Sequence, residues 1–440
     1  MIFENMDPSK VEAIKEYLED KSALIVETKK TTRTTLKKIL SSFGIKVQKI
    51  FIADNIADGS DIINDLKIDI VFAGYEVQDS KGIDLLSTHL KVHPNRQNAI
   101  FSLVSGPNSI AASCLVLDTE ADEYIAEPFT AKSLSESFLK AIERKMNKRP
   151  FLSAYHSIKE AIYLGDLDTA KKILAPLLEG FDDLDEVFYL SAKVAQEEGN
   201  LEEALKLYEQ TLEVNHAHYH ALKALAQEYS NIKMWAKAYT HTIKLLKHYP
   251  INPDKLPELI RLSIANQQYE DLIKYAEFFR GLEVQSPSIK TNIAASLVIC
   301  SKFFLRGGER EKGIKTLLEA VKSSSGKLSI IENIISTFIE YKEVRLGFEV
   351  LRQFEPLHGE NPLYKGLEIE IDYCNKDTKS VLLKGIPLAE AGEANIRVYE
   401  AVILSSIKAR RKTNSIIHLI DKAVAKFPDS SKHFQSMFKE

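Results

Sequence analysis

The sequence predicts an α/β fold followed by an all-α one: an N-terminal doubly wound sheet of five parallel strands, then a C-terminal solenoid of α-helical hairpins. Between Ser22 and Met146, short apolar runs alternate five times with segments of helical periodicity, the pattern of a parallel sheet covered by helices on both faces. From Phe151 one helix-turn-helix pattern recurs every 34 residues, which signals stacked repeats. Between these halves, RKMNKR (144–149) and Pro150 leave little slack before Phe151 opens the first repeat. A nearly rigid joint is expected.

In chain order, Asp7-Pro8-Ser9 starts a helix whose stripe is Val11, Ile14, Tyr17 and Leu18, with Pro in the first turn. Residues 1–21 are therefore expected to form a packed N-terminal helix. A strand at 23–26 is followed by a helix through Leu36, Ile39, Leu40 and Phe43 that ends at Gly44. The alternation continues with strands at 47–53, 68–73, 99–104 and 123–126, each followed by a helix, at 56–66, 83–90, 109–117 and 133–145. The α/β domain is expected over 22–148. In such a sheet ligands bind beyond the carboxyl ends of the strands. Those ends are Glu27-Thr28, Gly74-Tyr75-Glu76, Ser105-Gly106 and Glu127-Pro128-Phe129.

ALIVET (23–28), KGIDLL (81–86), LVSG (103–106) and YIAEPFT (124–130), in this order and spacing, resemble the receiver domain of bacterial response regulators over 22–146. The resemblance implies a phosphorylation site: an acidic pair holding magnesium after the first strand, an aspartate acceptor after the third, a hydroxyl after the fourth and a lysine after the fifth. Here Glu27 keeps one acid and Thr28 replaces the other. Gly74 stands at the acceptor position, Ser105 keeps the hydroxyl, and Glu127 replaces the lysine ahead of a retained Pro128 and Phe129. Glycine has no carboxylate to form an acyl phosphate, and a glutamate reverses the charge that would stabilise one. Glu76 and Asp79 are poorly placed to substitute. The site is expected to be vestigial, with Glu27 and Glu127 as unpaired, exposed and hydrated carboxylates; the alternative is that the two share a divalent ion, with Glu76 nearby. Tyr124 stands where the family has its switch aromatic. It reads either as a half-buried strand residue or as part of the face, formed by the helices flanking the fifth strand, on which receivers meet partners or a second copy.

The solenoid reading centres on 185–218. Phe188, Ser191, Ala192 and Ala195 mark one helical face, Ala204, Tyr208 and Thr211 the next, and Gly199-Asn200 separates them. Ala192 and Ala204 let the two backbones approach closely. In-phase copies lie at 151–184, with Gly165, Ala170 and Leu174, and at 219–252, with Leu222, Leu225, Ala226, Tyr229, Ala238, Thr242 and Pro250. This resembles the tetratricopeptide repeat (TPR) family. Regular repeats are expected over 151–252 and degenerate ones over 253–440, where turn glycines become irregular. The resemblance implies a concave groove for protein partners, at Tyr155, Lys159 and Ile162; Tyr189, Lys193 and Gln196; and Lys223, Gln227 and Ser230. Repeat proteins that clamp a partner's C-terminal carboxylate use lysines and asparagines at set groove positions. Tyrosines and lysines stand there in the first two repeats, which speaks against recognition of chaperone tails.

No nucleophile elbow, Walker loop or zincin helix occurs, so a non-enzyme is expected. With a net charge of -4 and mixed signs, no field gathers nucleic acid; KARRK (408–412) reads as a solvated helix end. The spacing of Cys114, Cys300 and Cys374 suits no metal pair and suggests a reducing compartment. His216, His218 and His220 lie where the chain turns into a helix, unsuited to joint ligation. The N-terminus is acidic and amphipathic rather than a secretory signal, and no apolar run approaches membrane-span length. The expectation is a cytoplasmic signalling adaptor without cofactor or metal, which binds proteins through the solenoid groove and pairs with a second copy through the receiver-like half. A phosphorylation-dependent regulator with a TPR output is the alternative, and an RNA-binding solenoid a third reading disfavoured by the acidic balance.

Overall fold

The computed structural model describes residues 6–106, 110–119, 121–146, 150–178, 184–281 and 287–438. The chain forms two compact units, Met1–Lys255 and Leu256–Glu440.

In the first unit, strands β1 (Ala23–Val26), β2 (Ile50–Ala53), β3 (Ile70–Gly74), β4 (Ile100–Gly106) and β5 (Glu123–Ala126) make one parallel sheet in the order β2-β1-β3-β4-β5. Successive side chains of a strand point to opposite faces, so both faces carry apolar residues and both are covered. On one face Ile25 and Phe72 join Ile14 and Leu18 of α1 (Pro8–Leu18), Leu36 and Leu40 of α2 (Lys30–Ser42), and Phe138 and Ile142 of α6 (Ala131–Met146). Phe138 stacks edge-on against Phe43 at 5.1 Å and Phe72 at 5.3 Å. The N-terminal helix is thus part of the sheet's own core. On the other face Leu24, Val26 and Val71 meet Ile63 of α3 (Ile56–Leu66) and Leu85 and Leu86 of α4 (Leu85–Val92). Helix α5 (Ile110–Asp118) precedes β5. Two departures from expectation are local. Residues 47–49 form a 3-10 turn before β2, and Glu76–Val77 pairs antiparallel with Ser80–Lys81 in a small hairpin beyond β3.

The same unit contains three helical pairs: α7 (Pro150–Leu164) with α8 (Leu167–Leu177), α9 (Leu184–Glu197) with α10 (Leu201–Val214), and α11 (Tyr219–Asn231) with α12 (Trp235–His248). Ala170, Ala192, Ala204 and Ala238 have no exposed surface, as close helix crossing demands. Ala226, expected among these contacts, is only half-buried, and Ala221, Leu222 and Leu225 fill the third hairpin instead.

The second unit continues with α13 (Leu256–Ala265) and α14 (Tyr269–Arg280), α15 (Pro287–Arg306) and α16 (Arg310–Ser323), α17 (Leu328–Glu340) and α18 (Val344–Arg352), a short α19 (Glu355–His358), α20 (Pro362–Cys374) and α21 (Thr378–Glu390), α22 (Ile396–Lys408) and α23 (Thr413–Lys426), and a last turn, α24 (Ser431–Ser436). Where the turn glycines become irregular, the left-handed turn itself persists. A left-handed turn residue stands between the helices at Gly165, Gly199, Lys233, Gln267, Gly308, Lys342, Lys376 and Arg410. Each lies 34 positions from the last, except the step from Gln267 to Gly308, which is seven longer. The extra length falls where α15 has 20 residues. That helix is long and apolar enough to cross a membrane by length and composition, contrary to the expectation that no apolar run comes near that length. In this fold Ile293, Leu297, Cys300 and Phe304 are buried, and the helix packs against α14 and α16.

Position four of the second helix of a pair is held by Ala170, Ala204 and Ala238, and later by Gly313 and Gly347. A Cβ on Gly313 would lie 2.6 Å from Leu305 Cγ. Ala204→Leu should therefore overpack the hairpin and cost about 1–3 kcal/mol, whereas exposed Glu202→Ala should leave stability within about 0.5 kcal/mol. Chemical denaturation of the two variants checks this.

Candidate functional site

The carboxyl ends of β1, β3 and β5 bring Glu27, Gly74 and Glu127 to one edge of the sheet. Glu27 is 1% exposed. Its Oε1 accepts hydrogen bonds from the Lys29 backbone N–H at 2.9 Å and Thr28 Oγ1 at 3.3 Å, while its buried Oε2 accepts none. That oxygen faces the acceptor position, where a Cβ on Gly74 would lie 3.0 Å from it. Gly82 returns over the same spot, donating its N–H to Tyr75 O at 3.1 Å. A Cβ on Gly82 would fall 1.9 Å from Gly74 O, so only glycine fits. Glu76 and Asp79 are exposed on the hairpin.

Glu127 is not the hydrated, unpaired acid expected from its position. Lys29 Nζ lies 2.6 Å from its Oε1, so a cation after β1 answers an anion after β5, the reverse of the polarity the receiver resemblance implies. Glu27 likewise departs from expectation in being buried rather than exposed. Both groups are about half-exposed in the Lys29–Glu127 pair, so its contribution to stability is small. Its effect is to cancel charge. Among the described residues no three His, Cys, Asp or Glu side chains converge. Ser105 lies in β4, and its side chain is outside the described residues.

Tyr124 is half-buried, with its ring edge-on to Tyr75 at 6.3 Å. A Cβ on Gly106 would sit 2.4 Å from its hydroxyl, so Gly106 makes room for the ring, and burial raises the phenol's pKa. Phe129 packs onto the core shared with α1, α2 and α6, and Pro128 is exposed.

Sequence reading missed how the receiver-like half meets the helical pairs of the same unit. Asp118, the last residue of α5, accepts hydrogen bonds from Tyr219 Oη at 2.6 Å, Lys223 Nζ at 2.5 Å and Asn252 Nδ2 at 2.8 Å. Below the opposite ends of the strands, Asp122 receives Arg96 Nη2 at 2.7 Å, Lys145 Nζ at 2.5 Å and the Phe101 N–H at 2.8 Å. Arg96 Nη1 lies 3.0 Å from His89 Nδ1. Asn95 donates to Glu160 of α7 at 3.1 Å. No signal of local spacing marks the contacts of Asp118 and Asn95, because each joins residues 65 or more positions apart.

Of the expected groove residues, Lys223 is held by Asp118. Gln196 accepts from Lys193 Nζ at 3.1 Å and Tyr208 Oη at 2.8 Å and donates to Glu228 at 2.7 Å. Tyr155 lies beneath the Lys159 ammonium at 5.3 Å, Tyr189 packs on His218 and His220, Ile162 is half-buried, Gln227 is exposed, and Ser230 is buried. The three alternating histidines do separate jobs. His218 Nδ1 accepts from the Ala221 N–H and caps α11, and His216 packs on His248.

Buried imidazoles make stability pH-dependent, His156 and His220 alongside the wholly buried His89. Burial, reinforced at His156 by the cations of Lys145, Lys159 and Arg96 against the opposing Asp122, lowers its pKa from 6.5 to about 4. Burial also lowers His220 to about 4, helped by His218, Lys159 and Lys223 and opposed by Glu186. Between 6.5 and about 4 the unfolded chain takes up protons that the folded chain does not, so stability is full above that window and falls as pH drops through it. Melting temperature should decline from pH 7 to pH 4.5, and His156→Gln with His220→Gln should flatten that decline.

No protein-family model matches the sequence. The aerobic respiration control protein ArcA of Escherichia coli K12 is 29% identical over 124 residues, which is 28% of this chain and 49% of ArcA. The ArcA of Escherichia coli O157:H7 matches to the same extent. The chain thus spans about half the length of the curated relatives it matches. Among solved structures, one from a functional characterisation of Pseudomonas aeruginosa PilF is 14% identical, with 56% of this chain and 94% of that one covered at a TM-score of 0.21. A structure of Naa15/Naa10 bound to HypK-THB is 14% identical, with 67% and 56% covered at a TM-score of 0.33. Likenesses at these scores carry no weight for fold or function.

Proposed function

We propose that this chain is a non-enzymatic bacterial signalling adaptor of the cytoplasm, in which a receiver-like half that cannot accept phosphate is joined to a TPR-type solenoid that binds proteins. One observation carries the reading. At the acceptor position a carboxylate is replaced by Gly74, and the buried Glu27 Oε2 borders the space where that carboxylate would stand. An acyl phosphate needs the missing carboxylate, and its added charge of about -1.5 to -2 needs a cation. The cation after β1, Lys29, is already engaged by Glu127. The receiver-like half therefore keeps one state, and its likeness to part of ArcA supports a place in signalling.

Binding falls to the first helices of the repeats. Tyr155 with Lys159, and Tyr189 with Lys193, offer aromatic rings beside long cationic side chains, a composition suited to adaptable contact surfaces. Pairing of two copies through the receiver-like half belongs to the same reading, through faces other than the Asp118 end of α5.

Incubation with acetyl phosphate and magnesium, followed by intact mass spectrometry, tests this. No phosphate adduct should form, and capture of protein partners by the full chain should be unchanged by the treatment but weakened by Tyr155→Ala. A stoichiometric adduct on Glu76, Asp79 or a neighbour would sink the adaptor reading.

A further inference from the structure

An acid at the last position of a helix stands in the field of that helix's own carbonyl ends, which opposes it. Asp118 occupies that position in α5 and is stabilised from outside. Its Oδ1 accepts from Tyr219 Oη at 2.6 Å and Lys223 Nζ at 2.5 Å, and its Oδ2 from Asn252 Nδ2 at 2.8 Å. The donors belong to the third repeat, and contacts within that repeat hold Tyr219 and Lys223 in place. Tyr219 and Lys223 lie one turn apart on α11, with the ammonium 5.9 Å from the ring. The Tyr219 ring leans edge-on against Tyr249 at 4.9 Å, and Tyr249 donates its hydroxyl to Ala217 O at 2.6 Å. Burial would raise the Asp118 pKa, but the hydrogen bonds from Lys223 and Tyr219 outweigh it and the net shift is downward. The carboxylate is the form this site selects.

The body of α5 reads IAASCLVLD, apolar and small until its final acid. Cys114 Sγ lies 3.6 Å from Pro250 O, so the same helix touches the repeat one turn before the clasp. Lys223, one of the donors, is also a residue of the expected partner groove.

We propose that Tyr219, Lys223 and Asn252 form a carboxylate-binding clasp, that Asp118 fills it in cis, and that the ligand it exchanges for is a protein segment of the same chemistry, a helix whose last turn presents an acidic side chain. This rests on the adaptor reading and adds the class of partner. Charge complementarity and the occupant already seated there identify the ligand. Such a segment competes with α5 for the third repeat, and its binding frees the receiver-like half from that contact.

The test uses the full chain and a fluorescein-labelled peptide with the sequence of residues 108–119, read by anisotropy. Asp118→Ala should bind the peptide at least tenfold more tightly than the wild type. Adding Lys223→Glu should abolish that gain, as should an asparagine in place of the peptide's aspartate at the position of Asp118. The charge-swapped pair Asp118→Lys with Lys223→Glu should return both peptide exclusion and the thermal melt to wild-type levels, which guards against a variant that simply unfolds. Equal binding by wild type and Asp118→Ala, or binding indifferent to Lys223→Glu, overturns the clasp. A dimeric Asp118→Ala chain by light scattering overturns the partner assignment, because a second copy would then be the occupant. Failure of the adaptor reading is distinguishable: the peptide results would stand while partner capture by the full chain stayed unaffected by Tyr155→Ala.

Discussion

The carboxylate of Asp122 is where the first unit is tied together. Arg96 and Lys145 both direct a cation at it, and both are nearly buried, their side chains 5% and 8% exposed. Two buried cations on one carboxylate leave a net positive charge, and desolvating it is costly. The surroundings answer by staying neutral. His89, wholly buried against Arg96, has its pKa pushed well down by burial first and by the guanidinium second. Burial lowers even Lys145, although Asp122 opposes the shift. Because Lys145 belongs to α6, Arg96 to the segment before β4 and His156 to α7, the sheet, its last helix and the first repeat share one electrostatic arrangement. Removing Asp122 alone would strand both cations, and for that reason the group reads as a joint rather than as a site.

The sheet's functional edge shows the opposite economy. There the paired charges are half-exposed and inverted, beside the buried Glu27: Lys29 faces Glu127 where a receiver would place an acid before a lysine. A pair with either polarity ties the end of β1 to the end of β5, but only the polarity the receiver resemblance implies leaves a cation directed at an incoming phosphate. Gly74 and Gly82 then close the space by bringing backbone against backbone. The edge keeps the layout of a receiver's strand ends with different residues at its key positions.

Much of this was legible in the sequence because it is written in local periodicity. The five alternations locate the sheet, and the 34-residue recurrence from Phe151 locates the helical pairs. Gly74 and Glu127 could be placed by their spacing from KGIDLL and within YIAEPFT. What stayed hidden is of two kinds. The left-handed turn persists at Lys233, Gln267, Lys342, Lys376 and Arg410, residues with no preference for positive φ; each carries a strain of roughly 1–2 kcal/mol that packing of the adjoining helices must offset. The left-handed turn therefore outlasts the glycine that marks it in the first repeats. The second kind is long-range pairing. Lys29 finds Glu127 across 98 positions, and Asp118 finds Lys223 across 105. Sequence reading placed Lys223 in an open groove because the group that fills it lies in the other half of the fold.

A silent edge and a filled groove together constrain how the protein can respond to anything. On the adaptor reading proposed above no phosphate shifts the receiver-like half, so the source of free energy is binding itself. A ligand shifts an equilibrium only by its differential affinity for the two states. An occupant tethered in the same chain acts at an effective concentration on the order of millimolar, and a competing segment must exceed the cis contact by that margin before the groove opens. Weak, common acidic helices would then be excluded, while a partner that also engages Tyr155 or Tyr189 gains contacts α5 does not supply. On this logic the receiver-like half acts as a threshold: it sets how much binding energy a partner must bring, and selectivity follows from contacts beyond the carboxylate.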